Sequence, residues 1–375
     1  SIIGKDFASN VSKETSVTDI TYDTSPPVIT ITNPDDDSFV NSNEITYTVN
    51  EPLVNAEMIW VGDGQESLVF KLRDEDLLEG NHILRSYGIN PLEKVFYTIY
   101  IKGIDRATNV GISDSLKNVT FDITPPVFAF SSPLENSPVN TTAISFSISE
   151  DLEIGSVTWV AVKGDDPLSP HILSLNQGQK TKGDKSDLIF SEPPRLVDGV
   201  TYQISISGTD LAGNNGEDVF LDDILFDTTP PEFVDTEPKD NTFIQEAFIN
   251  YTLTEDLAEG KIYFENVGGS TDPKTTHMIS LAGGKKTKGI QGGKLPKSFI
   301  RLVNGSVYNI RFEGVDAAGN KAPEVLIKDI VFDNEKPTLS IMKPVDNAFI
   351  NTKEVSISLS EDLAEGTLIL TSIAG

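Results

Sequence analysis

The chain has no cysteine among its 375 residues. No disulfide can staple it, and thiolate catalysis is excluded. Histidine is almost as scarce, with three residues, and there are two tryptophans and three methionines. So few histidines leave little room for a zinc centre or a repeated His-based catalytic set. Basic residues are outnumbered: 29 Lys and Arg stand against 57 Asp and Glu, a net charge of −28. Such a surface repels nucleic acid and anionic membrane and favours multivalent cations. No apolar run within these residues approaches the length of a membrane span or reads as the core of a signal peptide. Walker-type loops, zincin helices, Gly-x-Ser-x-Gly elbows and dinucleotide fingerprints are also missing.

What the chain has is repetition. Asp-Thr-Ser-Pro-Pro at 23–27 returns as Asp-Ile-Thr-Pro-Pro at 122–126 and Asp-Thr-Thr-Pro-Pro at 227–231, with a worn copy, Asp-Asn-Glu-Lys-Pro, at 333–337. Pro26, Pro125 and Pro230 are 99 and 105 residues apart, and Lys336 follows after a further 106. A period of that size, punctuated by a stiff Pro-Pro joint, means tandem domains. After each joint comes an alternating strand, such as Ile-Thr-Tyr-Thr-Val at 45–49 or Ile-Asn-Tyr-Thr-Leu at 249–253, with one face for a core and one for water. The strand ends in an acidic turn: Glu51-Pro52-Leu53, Glu150-Asp151-Leu152, Glu255-Asp256-Leu257 and Glu361-Asp362-Leu363. Late in each repeat a second alternating strand closes in Gly-x-Asp-x-Ala-x-Asn, at 103–109, 208–214 and 314–320, with a further copy at 4–10.

Many short strands with frequent turn signals predict an all-β chain of tandem immunoglobulin-like β-sandwich domains in an elongated array. The expected repeats are 25–124, 125–229 and 230–335. They are flanked by the last strands of one truncated repeat at 1–24 and the first strands of another at 336–375, as in a window of a longer array. Tyr97, Tyr202 and Tyr308 each precede the late Gly by six residues, where sandwiches anchor a tyrosine corner. Trp60, Trp159, Phe264 and Leu370 share one offset and are expected in the core. His82, His171 and His277 share an apparent position, Asn-His-Ile-Leu, Pro-His-Ile-Leu and Thr-His-Met-Ile, expected to point outward from an edge strand. Lys180-Thr181-Lys182-Gly183 and Lys286-Thr287-Lys288-Gly289 are expected as a solvated basic turn, with the first repeat shorter there.

The joints and the Gly-Thr-Asp-Leu-Ala-Gly-Asn turn at 208–214 resemble the bacterial Ig-like repeats of large secreted adhesins and surface fibres. The resemblance covers the whole chain. It implies an extracellular or cell-surface stalk that carries a binding domain elsewhere, in several such families with calcium between domains.

Topology alone leads to the same ion. In a sandwich with strands A to G, the B–C and F–G turns lie at one end, and strand G leaves at the other, into the next domain. Three acidic motifs therefore converge at each joint. The expected groups are Asp23, Glu51, Asp105 and Asn109; Asp122, Glu150, Asp151, Asp210 and Asn214; Asp227, Glu255, Asp256, Asp316 and Asn320; and Asp333, Glu361 and Asp362. The A–B turns, with Asp35–Asp37, Glu135 and Asp240, approach from the preceding domain. Like charges packed this closely raise one another's pKa and push domains apart unless a cation sits among them. Calcium suits hard carboxylate and amide oxygens at flexible coordination number. The expected function is thus a non-enzymatic stalk of an adhesin or fibre, with calcium-stiffened joints. Its partners are the neighbouring repeats and, through other domains, like fibres or a host or abiotic surface. The rival is a carbohydrate-binding or accessory β-domain array of a large secreted enzyme.

Overall fold

The computed structural model describes residues 1–85, 88–296 and 298–372. Two compact units divide the chain: Ser1–Asn136 with Thr142–Leu196 and Thr201–Ile224, and Ser137–Thr141 with Val197–Val200 and Leu225–Gly375. Both are built of antiparallel β-sandwiches. Among the described residues the only helical pieces are the 3-10 turns Asp74–Leu77 and Gly283–Lys286.

In the first unit, nine strands form the first sandwich: β1 (Ile29–Asn33), β2 (Phe39–Val40), β3 (Glu44–Val49), β4 (Leu53–Gly62), β5 (Leu68–Lys71), β6 (Gly80–Arg85), β7 (Phe96–Asp105), β8 (Val110–Ile112) and β9 (Leu116–Phe121). One sheet has the order β1-β3-β6. The other has β2-β9-β7-β4-β5, with β8 also paired to β7. Alternation makes the core: Ile45, Tyr47 and Val49 on β3 meet Met58 and Trp60 on β4 and Tyr97, Ile99 and Ile101 on β7 in one cluster. The short strand β2 lies parallel to β9, closing the sheet edge that precedes the joint.

The same unit holds most of a second sandwich. There Ile144–Ile148 pairs with Phe128–Ser132 and Gly183–Leu188, and Leu152–Lys163 pairs with Thr201–Asp210 and His171–Ser174. The second unit holds a complete third sandwich, with a three-stranded sheet centred on Phe248–Leu253 and a five-stranded one centred on Ser306–Val315. It also holds the pair Leu339–Lys343 with Ser356–Leu359. The last three residues of the expected 336–375 segment lie outside the described residues.

Trp60, Trp159 and Phe264 are fully buried, as core filler must be; Leu370 is exposed. The tyrosine corners form: Leu92 N donates to Tyr97 Oη at 2.7 Å, and Val303 N donates to Tyr308 Oη at 2.9 Å.

Besides Leu370, the expectations for the histidines and for the basic turn fail, because matching strings do not fix the register. His82 lies on β6, opposite Tyr47. His171 and His277 lie on a different strand, opposite Trp159 and Phe264. The shared His-Ile-Leu string is a coincidence of sequence, not a common position. Nor do His171 and His277 point outward: His277 is buried and its Nε2 lies 2.8 Å from Asp272 Oδ2, while His171 Nε2 lies 2.7 Å from Asp166 Oδ2. The basic turn has a counterpart of equal standing in the first repeat. Gly80, Gly183 and Gly289 all begin the same strand, opposite Val49, Ile148 and Leu253. All three hold φ between 108° and 130°, which only glycine adopts readily. The first repeat is shorter in the preceding hairpin loop, the one that carries Asp166 and Asp272 in the other two.

Candidate metal centre

Three clusters of carboxylates assemble, each from a joint, a B–C turn and an F–G turn. They are Asp23, Glu51 and Asp105; Asp122, Glu150 and Asp210; and Asp227, Glu255 and Asp316. In each, one oxygen per residue lies within 4.8 Å of the others.

The F–G aspartate is buried in all three: Asp105, Asp210 and Asp316 are 2%, 3% and 4% exposed, and in the second cluster Asp122 is buried as well. Local hydrogen bonds hold it. Asp210 Oδ1 accepts from Ala212 N at 2.9 Å and Asn214 N at 2.8 Å, and Asp210 Oδ2 accepts from Asn214 Nδ2 at 2.8 Å. Asp316 with Asn320, and Asp105 with Asn109, repeat this turn. So does Asp6 with Asn10, which belongs to none of the three clusters. Gly-x-Asp-x-x-x-Asn therefore builds its own Asx-type turn wherever it occurs. Burial raises the Asp105 carboxyl, but the Asn109, Ala107 and Thr108 donors together hold it below the usual range.

The asparagine has a second task. Asn214 Nδ2 donates to the Asp122 carbonyl and Asn320 Nδ2 to the Asp227 carbonyl, both at 2.9 Å. Asn109 Nδ2 reaches the Asp23 and Ser25 carbonyls at 3.3 Å. The amide thus ties the F–G turn to the joint backbone with its nitrogen. Asp23, Asp122 and Asp227 turn one oxygen to the backbone N–H two residues on, at Ser25, Thr124 and Thr229.

The glutamate of the B–C turn differs in character. Burial first, and then Asp23 and Asp105, raise Glu51 above the usual range. Burial and Asp122 do the same for Glu150, against the pull of Lys94 and Lys182. Burial, Asp227 and Asp316 raise Glu255. Close like charges and partial desolvation disfavour the ionised form.

Other expected ligands stand elsewhere. Asp151 Oδ1 accepts from Lys182 N, and Asp256 Oδ1 from Lys288 N, both at 2.7 Å. These aspartates fasten the turn before the next strand; in the first repeat Pro52 occupies the position. Asp333, Glu361 and Asp362 form no group of three among the described residues. The residues after 336 supply no F–G turn, and that turn gives a buried member in each of the other clusters. Asp36, Asp37 and Asp240 turn back on their own sandwiches, to Lys117 N, Asn118 Nδ2 and Lys328 N. Sequence reasoning missed Asn140, whose Nδ2 donates to Asn320 Oδ1 at 3.1 Å. Its signal was a recurring Asn after the short parallel strand, Asn41 after Phe39–Val40 and Asn140 after Pro138–Val139, replaced by Gln245 in the third repeat. It also missed Asp198, whose carboxylate accepts from Thr228 and Thr229.

Residues 201–326 match the family model of the bacterial Ig-like domain (group 3). That span contains Asp227, Glu255 and Asp316. No curated protein matches the sequence. Among solved structures, the chain is similar to one concerned with host cell surface retention of a 1.5-MDa bacterial ice-binding adhesin (14% identity, 84% of this chain and 100% of that chain, TM-score 0.27). It is similar to a tetra-tandem repeat from the extending region of a large adhesion protein (15% identity, 89% and 80%, TM-score 0.27). It is also similar to a Ca2+-stabilized adhesin with which an Antarctic bacterium binds ice (13% identity, 85% and 77%, TM-score 0.26). No described helix is long and apolar enough to cross a membrane. The chain is an array of tandem immunoglobulin-like sandwiches that carries, at 201–326, a bacterial Ig-like sequence.

Proposed function

We propose that this chain is a non-enzymatic spacer of an extracellular, surface-attached adhesin or fibre, and that calcium stiffens the joints between its repeats. The repeats are 25–124, 125–229 and 230–335, each beginning at its proline-rich joint. The observation that carries the reading is the recurrence of one donor set, joint Asp, B–C Glu and F–G Asp, at three successive joints. Three hard oxygen donors without His or Cys suit calcium, which completes its shell from second carboxylate oxygens, carbonyls and water. A cation there supplies charge neutralisation among groups that otherwise repel, and it couples a turn of one sandwich to the exit strand of the one before. Prolines already restrict the joint backbone. Trp60 and Trp159 are wholly buried, so neither indole is available for stacking on a sugar.

Calcium titration by calorimetry, with metal content after dialysis, tests the reading. The native chain takes up calcium at the three joints, and Glu255→Gln removes the uptake of one joint only. A native chain that retains no calcium at millimolar concentration overturns it.

A further inference from the structure

The third sandwich departs from the others at one position on Gly289–Lys294. The residue opposite Ile249 is Gly293. Its counterparts are Leu84, opposite Ile45, and Leu188, opposite Ile144. Leu84 is buried in the first core. At Gly293 a Cβ would meet nothing within 4 Å, and φ is 119°. The backbone as well as the missing side chain keeps this place open.

Behind it lies a cavity of about 520 Å³ between the strands Thr276–Ser280 and Gly289–Lys294. That falls within the roughly 300–1,000 Å³ of small-molecule sites. Its walls include Ile249, Tyr251, Ile262, Ile279, Leu281 and Leu295. The Tyr251 hydroxyl is engaged by the Lys285 carbonyl at 2.8 Å. Exposed Met278 and Phe299 extend the apolar surface at the lip, where the flexible thioether adapts to shape. Charge at the lining is all positive: Lys285 and Lys294. Lys294 Nζ lies 2.5 Å from Glu246. Lys285 donates one of its three ammonium protons to the Gly292 carbonyl, which pins the cation beside the opening. In so acidic a chain, a fixed cation beside an apolar cavity selects an anion with an apolar tail.

We propose that the third sandwich binds a straight-chain fatty acid, its tail in this cavity and its carboxylate against Lys285. The inference is independent of calcium at the joints. Octanoate and decanoate, below their micellar concentrations and in chelator, are titrated into the whole chain by calorimetry. One molecule binds per chain, and affinity rises about fourfold for each methylene buried. Leu295→Phe brings in the aromatic that the second sandwich buries at Phe190; it weakens decanoate at least tenfold. Lys285→Met abolishes the preference for decanoate over decanol. A decanoate bearing a terminal diazirine, photolysed with the native chain, labels 276–281 and 289–299. That readout needs no variant to fold. No saturable binding, equal affinity for decanol, or labelling spread over all three sandwiches overturns the proposal.

Discussion

Asp166 illustrates how one side chain organises a sandwich edge. Its Oδ2 meets His171 Nε2 and accepts from Tyr202 Oη at 2.7 Å, and its Oδ1 accepts from Leu168 N at 2.9 Å. These partners, His171 first, hold the carboxyl down to about 2 against the opposing effect of burial. The folded value lies below the unfolded one. Its contribution is therefore complete above about pH 4 and is lost as pH falls toward 2. In chelator, acid unfolding followed by circular dichroism should show a steep limb in that window, and Asp166→Asn should flatten it. An unchanged limb would remove Asp166 from the acid transition. Asp272 repeats the arrangement with His277 and Tyr308. The two tryptophans carry the opposite lesson. Trp60 Nε1 and Trp159 Nε1 are buried with no hydrogen-bond partner among the described residues, a cost of about 1–3 kcal/mol each. The third sandwich uses Phe264 there. Trp159→Phe should thus stay within about 1 kcal/mol of the parent in urea unfolding, the lost volume offset by the removed N–H. Trp159→Ala should cost about 3–5 kcal/mol. A Phe variant as damaging as the Ala variant would mean that the indole N–H is satisfied in solution.

Elements were legible where periodicity is strict. The alternation in Glu44–Val49 and its counterparts, the late strands with their tyrosines and the F–G turns all follow from two-residue patterning and turn chemistry. Matching strings did not locate elements. His-Ile-Leu occurs on two different strands, and the true register marker is the left-handed glycine at 80, 183 and 289. With that register, Glu79, Lys182 and Lys288 become equivalent, an acidic residue at the first joint and a basic one at the next two. The donor sets were also only partly legible. Topology brings Asp, Glu and Asp together, but whether Asp151 faces the joint or a backbone N–H depends on a hydrogen bond 31 residues away in sequence. On the calcium reading, the F–G aspartate is both ligand and scaffold, and the B–C glutamate is ligand alone. Asp316 holds its turn through Asn320, so Asp316→Ala should lower thermal stability in both calcium and chelator. Among the described residues Glu255 makes no such turn bond, and it sits close to Asp227 and Asp316, so Glu255→Gln should lose the calcium increment yet gain stability in chelator at neutral pH. Differential scanning calorimetry in the two buffers distinguishes them. Parallel behaviour of the two variants would assign Glu255 to the fold as well.

At the scale of the molecule, stability and stiffness are separate quantities. Each sandwich has its own buried core, and without cysteine no disulfide supplements it. The joints have no comparable core. They have Pro-Pro, the asparagine ties at Asn109, Asn214 and Asn320, and three carboxylates apiece. A ligand that binds only the ordered joint stabilises it by RT ln(1 + [L]/Kd), about 2.7 kcal/mol at 100 times Kd. If calcium fills the joints as proposed, chelation should withdraw that term from each joint and leave the cores intact. It also exposes the mutual repulsion of the carboxylates, which salt screens over about 10 Å at 0.1 M. Removing calcium should therefore broaden the distance distribution in small-angle scattering while the far-ultraviolet circular dichroism stays unchanged. Raising salt in chelator should reverse part of the broadening, because screening relieves repulsion without restoring a ligand bridge. Glu255→Gln, in calcium, should broaden the distribution less than chelation does, since two of the three joints remain filled. Scattering curves that superimpose with and without chelator would leave the asparagine ties and prolines as sufficient to fix the joints, and calcium without a mechanical role.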